Sequence, residues 1–299
     1  MPSPVVLEKA LNASFQRAVS DLEGQSGANP SLVNIATQIP SSSSYEKYGW
    51  LGSVPSVREW LGAKRVGQLE DHDFTIRNKD FEVTIKLSRN DVEDDNIGAH
   101  QVRIRDLVQR VSAHPQKLIS DLLINGDTGL AYDGVAFFSN VSGDRTIDNL
   151  LGGTGVTLAQ IQADIQSAIT AMMSFSDEAG EPLNIMPNAI VCPVARMFDI
   201  QRAVMSAADP TASGGVETFN PLNGKFTVIG DARLDADDAN DYYVLATQYA
   251  LRPFILQVRQ QARPEMERIP LTKDWAYSGI MRGNAGYGLP HLAVKIVNS

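Results

Sequence analysis

The segment His72-Asp-Phe-Thr-Ile-Arg-Asn-Lys-Asp-Phe-Glu-Val-Thr-Ile-Lys-Leu87 constrains this chain more than any other stretch. Phe74 and Ile76 alternate with Thr75 and Arg77, and Phe81, Val83, Ile85 and Leu87 alternate with Glu82, Thr84 and Lys86. Period two predicts two half-buried strands, and Asn78-Lys79 between them predicts a turn, because asparagine tolerates positive φ. All six apolar side chains then share one face of a two-stranded ribbon. Such a ribbon is marginal alone in water. Burying six apolar side chains at about 1.5–3 kcal/mol each is worth on the order of 10 kcal/mol, so a cover is required. The pattern leaves two covers open, the subunit's own body or a neighbouring copy.

Around the ribbon, the composition excludes several classes. At 299 residues the chain makes about two domains or one large one, with 43% apolar and 20% charged residues, ordinary for a sizeable core. No apolar run approaches the ~20 residues of a membrane span, and no basic region followed by a hydrophobic stretch opens the chain. The expectation is a soluble chain without an export signal and with no membrane partner. Cys192 is the single cysteine, which excludes a disulfide framework and a multi-cysteine metal site. A net charge of -9 argues against a protein that neutralises many phosphates.

Taken in order, Ser3-Pro4 opens an amphipathic helix with Leu7, Leu11, Phe15, Val19 and Leu22 on one face and Gly24 at its end. Val33, Ile35 and Ile39 hint at a short strand, and Pro40-Ser-Ser-Ser-Ser44 reads as a flexible joint. From Tyr45 to Gly62 come Trp50 and Trp60 among glycines and a proline, with Ser56 and Glu59 at capping-box spacing. Dense aromatics there make either an anchoring surface or a local satellite core. Asn90 with Glu93 starts the next helix, a better reading of these acids than a calcium loop. That helix carries Ile104, Leu107, Val108, Val111, Leu118, Ile119 and Leu122 on one stripe over nearly thirty residues, bent or restarted at Pro115 and ended by Asn125-Gly126. Beyond a glycine-rich region, Thr157 and Gln160 cap another helix, Ala189–Cys192 reads as a buried strand, and a helix follows through Met197, Ile200 and Val204. Further strands are expected at 226–229, 242–246, 254–258, 275–281 and 292–297, the last two split by turn-rich Arg282–Pro290.

No catalytic constellation emerges. The four histidines, at 72, 100, 114 and 291, form no metal-binding helix pair, and no Gly-x-Ser-x-Gly elbow is present. Cys192 lies in an apolar strand with no charge beside it and reads as an inert thiol. Gly152-Gly-Thr-Gly155 lacks the P-loop lysine, and Asp231, Asp235, Asp237, Asp238 and Asp241 read as a solvated acidic loop. The expectation is a non-enzyme without cofactor or metal.

Trp50-Leu-Gly52, Pro55, Arg58-Glu-Trp60, Asn78-Lys-Asp-Phe-Glu82 and Arg89-Asn-Asp-Val-Glu-Asp-Asp-Asn96, followed by Tyr132-Asp-Gly134 and Phe137-Phe138, resemble the Mu-like phage major head subunit. A histidine expected shortly afterwards is replaced by Asn140-Val-Ser142. The resemblance is densest from Tyr45 to Asn96 and loose beyond Gly155. It implies an α+β tailed-phage major capsid fold of the Hong Kong type. Its anatomy would be an N-terminal arm (1–44), an extended loop (45–96, with a β-hairpin at about 72–87), a peripheral domain with the long spine helix (97–154 and 251–299) and an axial α/β domain (155–250).

In that fold the extended loop lies over a neighbour, so the resemblance assigns Trp50, Trp60, Phe74, Ile76, Asn78, Lys79, Phe81, Val83, Ile85 and Leu87 to an assembly interface. It further implies a homo-oligomer of pentamers and hexamers forming an icosahedral shell in the virion. That shell would assemble in the host cytoplasm with scaffold, portal and decoration proteins and touch packaged double-stranded DNA only loosely. Lys79 has no activating context, so the shell is expected to be non-covalent. The competing reading is a scaffold module that forms small complexes through the aromatic surface at 45–60.

Overall fold

A computed structural model of the chain describes residues 9, 11–20, 31–48, 74–88, 97–141, 145, 147–176, 180–208, 219–270, 272 and 274–298. Trp50, Trp60, His72 and the acids of 91–95 lie outside them. In chain order the elements are α1 (11–20), β1 (Ala36–Pro40), β2 (Tyr45–Lys47), β3 (Thr75–Arg77), β4 (Lys79–Leu87), α2 (Ile97–Ile124), β5 (Leu150–Gly152), α3 (Leu158–Ser174), β6 (Ala189–Cys192), α4 (Val194–Met205), β7 (Thr227–Gly230), β8 (Tyr242–Leu245), β9 (Phe254–Arg268), β10 (Trp275–Tyr287) and β11 (Ala293–Val297).

Two sheets organise the molecule. The first has the order β1-β9-β10-β4, with β1 parallel to β9 and the other pairs antiparallel. The second has the order β5-β11-β8-β6-β7. Its central strands Ala-Ile-Val-Cys and Tyr-Tyr-Val-Leu are buried on both faces, so they read as unbroken apolar runs. Ile190, Cys192, Tyr242 and Val244 face α3 and α4, whereas Ala189, Val191, Tyr243 and Leu245 turn toward α2 and the first sheet. Phe137, Phe138, Phe254 and Tyr287 fill that junction, with Phe137 stacked on Tyr287 at 4.8 Å between ring centroids.

Helix α2 is one 28-residue helix that runs through Pro115 without ending. Proline in a helix interior removes one hydrogen bond and costs about 3 kcal/mol. Burial of Ile104, Leu107, Val108, Val111, Ile119 and Leu123 on its core face outweighs that, at about 1.5–3 kcal/mol for each side chain. Beside that turn lies a cavity of about 530 Å³, lined by Val111, Ser112, Pro115 and Leu118 on the helix and by β9 opposite. At α3, the backbone N–H of Thr157 donates to Gln160 Oε1 at 3.1 Å, as the capping signature predicts.

Three expectations are corrected. The predicted hairpin at 72–87 does not form among the described residues: β3 pairs antiparallel with β2, and β4 pairs antiparallel with β10. One residue, Asn78, separates the two strands, too few for a two-residue hairpin loop, and it does not adopt positive φ. Second, Arg282–Tyr287 is strand rather than turn. Its glycines serve close packing, since a Cβ on Gly283 would stand 2.4 Å from the carbonyl oxygen of Gln257. Third, β9 extends well past residue 258, to Arg268, making a long antiparallel pair with β10. β5 and β11, on either side of the segment 155–250, both pair in the five-stranded sheet.

Candidate assembly surface

Pro40–Ser44 was expected to be flexible, yet it is knotted by hydrogen bonds. Ser41 Oγ donates to Glu46 Oε1 at 2.9 Å, and the backbone N–H groups of Ser42 and Ser43 add bonds of 3.0 and 3.3 Å. The Ser41 bond, followed by those of Ser42 and Ser43, holds the Glu46 carboxyl below its usual range. Asn78 completes the knot. Its Nδ2 donates to Ser41 Oγ and to the Ser43 carbonyl, both at 2.8 Å, and its Oδ1 accepts from Gln257 Nε2 at 2.7 Å. Asn78 is therefore a clamp that joins the end of β3 to the 41–43 segment and to β9 rather than a turn residue.

The candidate residues separate into two groups. Phe74 and Ile76 belong with β2 and β3. Ile76 is buried and packs so closely on Gly286 that a Cβ there would lie 2.5 Å from its Cδ1. Beside it, Tyr48 donates to Gln257 Oε1 at 2.8 Å, and burial, with the charge of Glu46 second, pushes its phenol up to about 12.

Phe81, Val83, Ile85 and Leu87 form one face of β4, opposite Met281, Gly279, Tyr277 and Trp275 of β10. Leu87 is fully buried and the other three are half-buried. Their cover comes from the same chain, from Leu11, Phe15 and Ala18 of α1 and Ile104, Leu107, Val108 and Val111 of α2. Tyr277 fixes α1 in place by donating to Asn12 Oδ1 at 3.1 Å. The subunit's own helices thus supply cover to this face, completely at Leu87 and partly at Phe81, Val83 and Ile85. The opposite face is polar. Asp80 pairs with Arg282 at 2.7 Å, Thr84 lies 2.8 Å from Ser278, and Glu82 is exposed; Lys79, at the start of the apolar face, is exposed as well.

The remaining chemical candidates are structural. Burial pushes the Cys192 thiol up to about 12, with the charge of Asp235 adding to it, so it is inert. A Cβ at Gly153 would strike the side chain of Asn298, and Gly155 adopts a φ of 135°, so these two glycines of the run are held by packing and by backbone conformation. Of the acids at 231–241, Asp237 and Asp238 are exposed as expected, whereas the other three are employed individually. Asp231 accepts from Ser120 Oγ, Asp235 accepts from the N–H groups of Val194 and Ala195, and Asp241 accepts from Asn298 N at 2.9 Å.

Lys295, a buried cation in β11, stands outside the residues expected from sequence. Its Nζ lies 2.7 Å from Asp127, just past α2, and 3.4 Å from Asp241, before β8. Burial opposes its charge, but the hydrogen bond and charge of Asp127, reinforced by Asp241, outweigh that and raise its pKa. The group ties the end of the long helix to the five-stranded sheet. Its only signal in sequence is a lysine inside the apolar run Ala-Val-Lys-Ile-Val.

A long helix laid across an elongated sheet, joined to a five-stranded sheet with helices on its outer face, is the fold of tailed-phage capsid subunits. The structure aligns with the procapsid subunit of bacteriophage JBD30 over 99% of this chain and 76% of that one, with a TM-score of 0.56 and 24% sequence identity. Residues 6–149 and 223–298 match the family described as Mu-like prophage major head subunit gpT, and the chain belongs to that family. Among curated relatives, the major capsid protein of Escherichia phage Mu is 39% identical over 131 residues, covering 44% of this chain and 42% of the relative. The Mu-like prophage FluMu major head subunit of Haemophilus influenzae is 31% identical over 163 residues, covering 51% and 52%. The matched stretch thus spans about half the length of these relatives.

Proposed function

We propose that this chain is a major head subunit whose copies self-assemble, as pentamers and hexamers, into an icosahedral shell around packaged double-stranded DNA. The observation that carries this reading is the family match, which includes β1, β4, β9 and β10, the strands of the elongated first sheet, with α1 and α2 packed on it. The anatomy follows: an arm containing α1, a loop region from 45 to 96, a peripheral unit on α2 and an axial unit on the five-stranded sheet. An acidic chain, net -9, suits a container that holds DNA loosely. Assembly takes place in the host cytoplasm, with scaffold, portal and decoration proteins as partners, and the finished location is the virion.

Within this reading β4 is a stiff base for the loop rather than its free tip. Contact with a neighbour then falls to its polar face and to the residues between 49 and 73. The contacts are non-covalent. Negative-stain microscopy of the full-length chain after expression tests the proposal, and closed shells are the expected result. A strictly monomeric protein under all assembly conditions, or small defined complexes on size-exclusion chromatography, would overturn it. A ladder of subunit multimers on a denaturing gel would overturn the non-covalent part alone.

A further inference from the structure

We infer that the cavity between α2 and the first sheet is a binding site for a small amphiphilic carboxylate, an apolar chain carrying one ionised carboxyl group. The cavity holds about 530 Å³, within the roughly 300–1,000 Å³ of small-molecule sites. Ile39, Val111, Leu118 and Met281 give it apolar walls, and Arg259 and Gln260 of β9 line it beside them. Apolar walls with a few polar groups are the ordinary make-up of such a site.

Two irregular places in otherwise regular elements meet here. Val258 stands opposite Gly283 and Gln260 opposite Arg282, so Arg259 is an extra residue on β9. In a regular strand Arg259 and Gln260 would point to opposite faces. The bulge breaks that alternation, and both residues line the cavity. Across from them α2 passes through Pro115, which lacks the N–H that the carbonyl of Val111 would otherwise receive. Departures from local regularity of this kind gather at functional sites.

Unmet donors select the ligand. Arg259 Nη1 and Gln260 Nε2 are both buried, and neither has a hydrogen-bond partner among the described residues. Buried donors left without an acceptor are costly, and both of these are satisfied by an oxygen acceptor. No aspartate or glutamate is among the described residues lining the cavity. Arg282, the other cation there, has Asp80 at 2.7 Å, whereas Arg259 has no ion pair among the described residues. One guanidinium beside one amide N–H matches the single charge and two oxygens of a carboxylate. A phosphate dianion brings more charge and more oxygens than these groups satisfy, against apolar walls. A wholly apolar guest leaves the donors unmet.

The test titrates the full-length chain with decanoate, decanol and acetate in a calorimeter, below the micelle concentration. Decanoate is expected to bind at one site per chain. Decanol keeps the tail without the charge, and acetate keeps the charge without the tail. Each is expected to bind at least about tenfold more weakly than decanoate. Arg259→Gln is expected to weaken decanoate about ten- to hundredfold, as for loss of a hydrogen bond to a charged group. Arg263→Gln, on the same strand but exposed and outside the cavity, is expected to leave the affinity unchanged. Failure of decanoate to bind, equal binding of decanol, or equal losses in the two arginine variants would each overturn the site. If Arg259→Gln loses its circular dichroism spectrum, Gln260→Leu takes its place, and an unchanged decanoate affinity in that variant overturns the site. These readouts are independent of shell formation, so the site and the assembly reading stand or fall separately.

Discussion

The ring of Phe81 in β4 lies against the imidazole of His114 in α2, with centroids 4.1 Å apart and planes tilted by 52°. This contact joins the strand that dominates the sequence pattern to the long helix, one residue before its proline. Burial, followed by the charge of Lys117, lowers the pKa of His114, and Arg233 acts in the same sense against Asp121. The folded chain therefore resists protonation that the unfolded chain accepts. Its contribution to stability is complete above the ordinary histidine value of 6.5 and declines as pH falls below that value toward the lowered one. In urea titrations across this range, His114→Gln is expected to lose less stability on acidification than the parent. At neutral pH, Phe81→Ala should cost about 2–3 kcal/mol, below the full range for a buried phenylalanine because the ring is half-buried.

Replacing Asn78 removes a clamp. Asn78→Ala deletes the bonds to Ser41, Ser43 and Gln257, and leaves Gln257 Nε2 with a 3.4 Å bond to the carbonyl of Ile76. The expected loss is about 1–3 kcal/mol in equilibrium unfolding, with faster amide exchange in β2 and β3. Unchanged exchange would contradict the clamp.

Gly283 and Gly152 make a matched pair for testing close packing. A Cβ at Gly283 meets a backbone carbonyl at 2.4 Å, beside the register shift between β9 and β10, and no side-chain rotation relieves it. Gly283→Ala is expected to destabilise by about 2–3 kcal/mol. At Gly152 nothing lies within 4 Å of the added carbon, and Gly152→Ala should fall within about 0.5 kcal/mol of the parent in the same thermal or urea assay.

Lys295 is expected to be the most sensitive charged position described. Lys295→Met leaves Asp241 buried without its cation and should cost about 3–5 kcal/mol. Asp241→Asn in the same chain removes the stranded charge and should restore part of that loss. Additive effects in the double-mutant cycle would show that the two groups do not interact.

Much of this architecture was legible in local pattern, because local pattern reports which face of an element is dry. The stripe of Leu107, Val111 and Ile119 identified the long helix, and Thr157 with Gln160 marked the start of α3. The unbroken run at 189–192 identified a buried strand, and 242–246 read as another strand. The apolar face of β4 was equally plain from Phe81, Val83, Ile85 and Leu87. The chain's membership of the head-subunit family was legible too, in motifs from Trp50 to Asn96.

Pairing was decided only in three dimensions. Alternation says that 75–77 and 79–87 are strands, but strand partners are chosen by hydrogen bonds across the whole chain. Here β3 joined β2 and β4 joined β10, some two hundred residues away. The packing of α1 and α2 on β4 likewise exists only in the folded chain, since a surplus apolar face carries no mark of what will lie against it. The placement of Lys295 between Asp127 and Asp241 likewise exists only once β11 is threaded between β5 and β8, bringing distant charges within reach.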